Sequence, residues 1–122
     1  GAEELEALAK GTAPKSGAAF VIPFREHGDE PETISGGYRQ HVETTLLVAV
    51  VLRKAADARG SGRLTEADAV RDALEAALAG WTPDVAANRP LALVGTEASP
   101  QANGVTWYVQ TWATDRWIER KP

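Results

Sequence analysis

YRQHVETTLLVAVVLR, residues 38–53, is the stretch from which the fold follows. Taken alternately, one set reads Tyr38, Gln40, Val42, Thr44, Leu46, Val48, Val50, Leu52. The other reads Arg39, His41, Glu43, Thr45, Leu47, Ala49, Val51, Arg53. This period of two, rich in β-branched residues, predicts a strand. One face is mostly apolar or β-branched, and the other is polar early and apolar late. Such a strand has one face buried at its start and both buried at its end. At about 3.3 Å per residue it extends roughly 50 Å. A compact domain of this length has a radius of gyration of only about 14 Å. The strand is therefore expected to overshoot its domain, with its polar early half standing out as an arm.

The chain has 122 residues, enough for one domain (1–122) with a real core and too few for two. It is 43% hydrophobic and 25% charged, which suits a soluble globular protein. The run LLVAVVL is far short of a membrane span, so no membrane partner is expected. The opening GAEELEALAK has neither the basic start nor the apolar stretch of a signal peptide. Absence of Cys excludes disulfides, thiolate zinc sites and a cysteine nucleophile, and suits a reducing cytoplasm. Met is absent even at position 1, from which a removed or missing native start is expected. The net charge of −4 argues against a nucleic-acid binder, which carries a basic patch.

Outward from the long strand, residues 18–25, AAFVIPFR, read as a second strand. Pro23 cannot donate to a ladder, so it demands an edge or a bulge. The polar HGDEPETISGG, residues 27–37, joins the two strands as an extended hairpin tip. Residues 2–10 read as a short helix stopped by Gly11. Residues 63–80 carry the clearest helix. Thr65 and Asp68 have capping-box spacing, and Ala67, Val70, Leu74, Ala77, Leu78 and Trp81 form one stripe. Gly80 and Pro83 end it. A short strand at 91–94, a polar connector at 95–104 and a last strand at 105–118 complete the chain. The expected fold class is α+β: a mostly antiparallel sheet of two hairpins, one with a long projecting arm at 26–45. Its α-helices pack on one face, in the order α-β-β-α-β-β. Leu46, Val48, Val50, Val70, Leu74, Leu78 and Trp107 are the expected core between long strand and main helix.

Catalytic chemistry finds little support in these residues. His27 and His41 would need carboxylates from Glu26, Asp29 or Glu43 to hold a metal, and nothing in the spacing fixes such a cluster. Ser16, Ser35, Ser61 and Ser99 sit beside Gly or Pro, as turn serines do, and none lies in a nucleophile elbow. Gly60-Ser61-Gly62 precedes a helix but no GK[ST] follows. The expectation is no enzyme, no metal and no cofactor. Trp107 and Trp117 point to one side of the last strand and Trp112 to the other. Either Trp107 is core and Trp112 covers the opposite side, or an exposed ring anchors a protein contact.

The run AAFVIPF, the start YRQ of the long strand, the alanine-rich helix ending in Gly80-Trp81, PLALVG and GVTWYVQTWATDRWI together resemble phage tail terminator proteins. The resemblance spans about residues 5–118 and rests on the order and character of segments. The chain departs from it in lacking a start methionine and most of an N-terminal helix. The resemblance implies a structural subunit of the virion, assembled in the bacterial cytoplasm, at the head-proximal end of the tail. Its partners would be further copies of itself in a homohexameric ring, the tail tube protein and the head-completion (stopper) protein. Genomic DNA would pass through the lumen without specific binding. The expected interface residues are Glu26, His27, Tyr38, Arg39, Gln40, His41, Glu43, Thr45 and Trp112, with the arm reaching a neighbour. Two other classes stay open: another neck or tail component (a head-tail connector or tail tube protein), and a small enzyme or ligand-binding domain.

Overall fold

A computed structural model of the chain describes residues 18–33, 35–53, 61–85, 88–101 and 104–121. Four strands and one helix run in the order β1 (Ala19–Gly28), β2 (Tyr38–Arg53), α1 (Ser61–Leu78), β3 (Ala92–Pro100), β4 (Val105–Arg120). The strands form one sheet in the order β1-β2-β4-β3, antiparallel throughout. Two hairpins thus meet along β2 and β4, whose 16 residues each pair over their whole length, from Tyr38↔Arg120 to Arg53↔Val105.

The expected α+β class with several helices is overturned. The described chain is mostly antiparallel sheet, and a single helix accompanies it. Strand extends well past the apolar runs because polar strand ends pair with one another. β3 shows this best: it runs on to Pro100, through the expected connector. An edge strand needs no apolar face, so Thr96, Glu97 and Ser99 stay solvated while their backbone pairs with β4. The expected helix at 2–10 lies outside the described residues.

β1 carries a bulge between Pro23 and Arg25 and lies at an edge, as Pro23 demanded. Its hairpin turns through Ser35 (φ 52°) and Gly36 (φ 81°), with Glu32 and Arg39 exchanging backbone hydrogen bonds just above. The helix starts four residues before Thr65, so the Thr65/Asp68 pair lies within it and does not cap it. It ends as expected: Gly80 takes φ 78°, where a side chain would be strained, and its N–H reaches the Leu91 carbonyl.

The core lies on both faces of one half of the sheet. Under the helix, Ala67, Val70, Leu74 and Leu78 pack against Val48, Val50, Leu52, Tyr108, Trp112 and Leu91. Ala77 and Trp81, expected on that stripe, are exposed. On the opposite face Ala49, Val51, Val105 and Trp107 are buried, with Phe20 5.8 Å from the Trp107 ring. Trp107 is therefore core, though not between long strand and helix as expected. Trp112 occupies that place, fully buried, its Nε1–H donating to Gln110 Oε1 at 3.0 Å.

Candidate functional site: the polar half of the sheet

The early half of β2, residues 38–45, lies between the end of β1 (25–28) and the end of β4 (113–120). What the sequence showed as a projecting hairpin arm at 26–45 is joined by the end of β4 into a three-stranded ladder with β2 at its centre. The alternation of β2 sends Arg39, His41, Glu43 and Thr45 to one face, where β4 adds Asp115, Trp117 and Glu119. Gln40, Val42 and Thr44 point the other way, beside Glu26, Arg116 and Ile118.

His41 is the hub of the first face. Its Nδ1 lies 2.7 Å from Asp29 Oδ2 and its Nε2 2.7 Å from Asp115 Oδ2, while Glu43 stands 3.7 Å from Nδ1. The Trp117 ring packs 4.8 Å from the imidazole. Hydrogen bonds to Asp29 first, then Asp115, raise the His41 pKa above its ordinary 6.5. Each ring nitrogen faces a carboxylate oxygen, so His41 ties the hairpin tip to β4. Burial pushes the Asp115 carboxyl up, but His41 and the Arg89 backbone N–H at 2.7 Å outweigh it, and its pKa is lowered. Arg39 lies 3.7 Å from the Trp117 ring centroid and pairs with Glu119 at 3.3 Å. Arg89 pairs with Glu43.

On the second face, Arg116 grips Glu26 with two bonds of 2.6 and 2.9 Å, and the Thr44 hydroxyl donates to the same carboxylate. The Arg116 bond, then Thr44, holds the Glu26 pKa down to about 2. The Tyr38 hydroxyl donates to Gln40 Oε1 at 2.6 Å, and Gln40 Nε2 donates to the Asp29 carbonyl at 3.0 Å. That amide is seated directly over Gly28: a β-carbon there would lie 2.6 Å from Gln40 Nε2.

Seven of the nine residues expected from sequence lie on the two faces of this half of the sheet: Glu26, Tyr38, Arg39, Gln40, His41, Glu43 and Thr45. Thr45 lines a surface hollow with Pro23, Phe24 and Arg25. His27 is exposed and comes no closer than 4.0 Å to Asp29 Oδ1. Trp112 offers no surface at all, since the helix side of the core buries it completely. Sequence reasoning missed Arg89, Asp115, Arg116, Trp117 and Glu119, and gave Asp29 only a metal role. The alternating charges at the end of β4 were the available signal, legible only once β4 is paired antiparallel with β2.

Ligand atoms of Asp29, His41 and Glu43 do lie within 4.8 Å of one another, a grouping a cation can enter. Both His41 nitrogens face carboxylate oxygens here, so a cation entering would compete with the Asp29 bond. The arrangement links the hairpin tip to β4, and what it presents outward is a charged surface. Among the described residues, no helix is long and apolar enough to cross a membrane. A family model described as phage tail terminator protein matches residues 1–122, the whole chain. No curated protein matches it.

Proposed function

We infer the function from kinship: the chain belongs to the phage tail terminator family and is a structural component of a phage tail. From that premise, the protein forms a homohexameric ring on the head-proximal end of the tail tube. The ring stops tube polymerisation and offers a surface to the head-completion protein. The observation that carries this is the family match over the whole chain. The polar half of the sheet supports it. Its cross-linked charges give a surface that keeps its shape, as a docking face between protein subunits requires. Residues 26–45 act as the arm of this subunit, with Glu26, His27, Tyr38, Arg39, Gln40, His41, Glu43 and Thr45 directed to a neighbouring copy or to the tube. The net charge of −4 suits a ring through which DNA passes without being held. No catalytic role is proposed.

Loss of the gene in the phage tests this directly, with electron microscopy of the lysate. Overlong tails that join no heads are the expected outcome. Lysates with no tails would identify a tube subunit instead. Tails of normal length that stay headless would identify a connector.

A further inference from the structure

The described sheet ends in two edge strands, β1 and β3. Among the described residues nothing pairs with the outer side of β1 or of β3. Both strands are exposed along nearly their whole length. Each displays apolar side chains there: Val21 is 70% exposed on β1, Leu93 44% and Val94 61% on β3. An open edge of nine residues whose only charge is Glu97 is a template for another strand. Resting on the ring reading above, we propose that the β3 edge of one copy pairs with the β1 edge of the next, so that the sheets run on from subunit to subunit.

Three observations fit these two edges to each other. The first is direction. Neighbours are antiparallel across the whole sheet, so β1 and β3 run in opposite senses. A copy placed beside another in the same orientation then meets it in an antiparallel pair. Using one edge for each neighbour is the head-to-tail contact from which rings are built.

The second is charge. Arg25 on β1 has no carboxylate partner among the described residues and only rests over the Phe24 ring, 5.0 Å from its centroid. Glu97 on β3 has no cationic partner there either. The side chains share a face of the sheet: Arg25 pairs with Thr45, Glu97 with Val109, and Thr45 and Val109 lie on the His41 face. In a sheet continued across the contact, directly opposed residues share a face, so these two charges can stand opposite each other.

The third is hydrogen-bond parity. The Asp29 N–H bonds to the His41 carbonyl, so bonded pairs alternate down the hairpin and include Arg25↔Thr45. The Gln101 N–H bonds to the Val105 carbonyl, and the same alternation makes Glu97↔Val109 a bonded pair. Arg25 and Glu97 therefore both turn their backbone N–H groups inward. Set opposite each other across the new contact they form a non-bonded pair, the kind with α-carbons only about 4.5 Å apart. That spacing brings side chains close enough for an ion pair or a disulfide.

The chain has no Cys, which makes the test clean. Phage carrying Arg25→Cys and Glu97→Cys together are grown, and their purified tails are oxidised and run on a denaturing gel. The expected result is a ladder of covalent oligomers of this chain, absent for either single variant. Tails of normal length whose double-cysteine chain stays monomeric would overturn the edge contact and leave the terminator function standing. Tails that contain none of the chain would overturn both. Charge supplies a second measurement. Arg25→Glu or Glu97→Arg alone should lower the amount of chain built into tails roughly tenfold, and the two together should restore it. Equal incorporation of all variants sinks the pairing.

Discussion

The two halves of β2 and β4 share one ladder but are held by opposite means. In the half around Val48–Leu52 and Trp107–Trp112, side chains leave water on both faces, and burial supplies the stability. In the half around residues 38–45 and 113–120, the same strands carry paired charges near or at the surface. Backbone hydrogen bonding alone cannot explain both, because it is common to both. The apolar half makes the domain. The polar half is tied across its strands by ion pairs, and it is this half that we propose as the assembly surface.

The comparison breaks most sharply at Trp112. Its replacement by Ala should remove about 3–5 kcal/mol and leave Gln110 without its indole donor. Chemical denaturation would show loss of most of the folded baseline. Leu74→Ala follows, because Leu74 packs against both apolar clusters under the helix. It is only partly buried, so a cost of about 2 kcal/mol is expected, at the low end for such truncations. A melting temperature unmoved by this change would mean that the helix does not hold the sheet.

These two positions also show what the sequence made legible. The alternation in residues 38–53 gave β2 its observed ends, and Gly80 and Pro83 placed the end of α1 within two residues. Alternation also put Trp107 and Trp112 on opposite faces. It did not say which face the helix covers, because both faces of that half are apolar, so Trp107 was placed on the wrong side. β3 was cut short because an edge strand carries no burial pattern. The contacts of the polar half were legible only on their β1 and β2 side. Their partners on β4 lie 74 to 90 residues away, and only the strand register brings them in.

A smaller effect sharpens the contrast. His41→Ala takes away the bonds to Asp29 and Asp115 and should loosen the polar half without unfolding the domain. The change should be local: faster hydrogen exchange at the Asp29 amide, which bonds the His41 carbonyl, and none at Val48–Leu52. These links also titrate. His41 is raised from 6.5, so its contribution is complete below that value and fades as pH climbs through the raised one. Asp115 and Glu26 are lowered, so theirs is present above the ordinary carboxylate range and fades in acid, for Glu26 between about 4.5 and about 2. Exchange rates followed against pH should therefore show residues 38–45 best protected between these limits, and the apolar half indifferent to them. Protection of the polar half that did not vary with pH would dismiss the charged links.

The smallest effect on stability should be the largest on assembly. Reversing Arg39 and Glu43 together would place a new cation beside His41, confounding fold with function. Exchanging Arg39 with Glu119 avoids this, because the pair is kept while the outward charge is inverted. Both side chains are more than half exposed, and such pairs contribute about 1 kcal/mol or less. The lost contact of Arg39 with Trp117 adds about 0.5–1 kcal/mol. The Arg39→Glu, Glu119→Arg protein should thus fold with a melting temperature only slightly lowered. If this face meets another subunit or the tube, the partner's charges now repel it, and charge reversal at a contact acts mainly by rejecting the partner. Phage carrying the exchange should give tails of irregular length that fail to join heads in electron micrographs. Uniform tails on filled heads would show that the polar half is firm for its own sake, and that assembly uses other surfaces of the sheet.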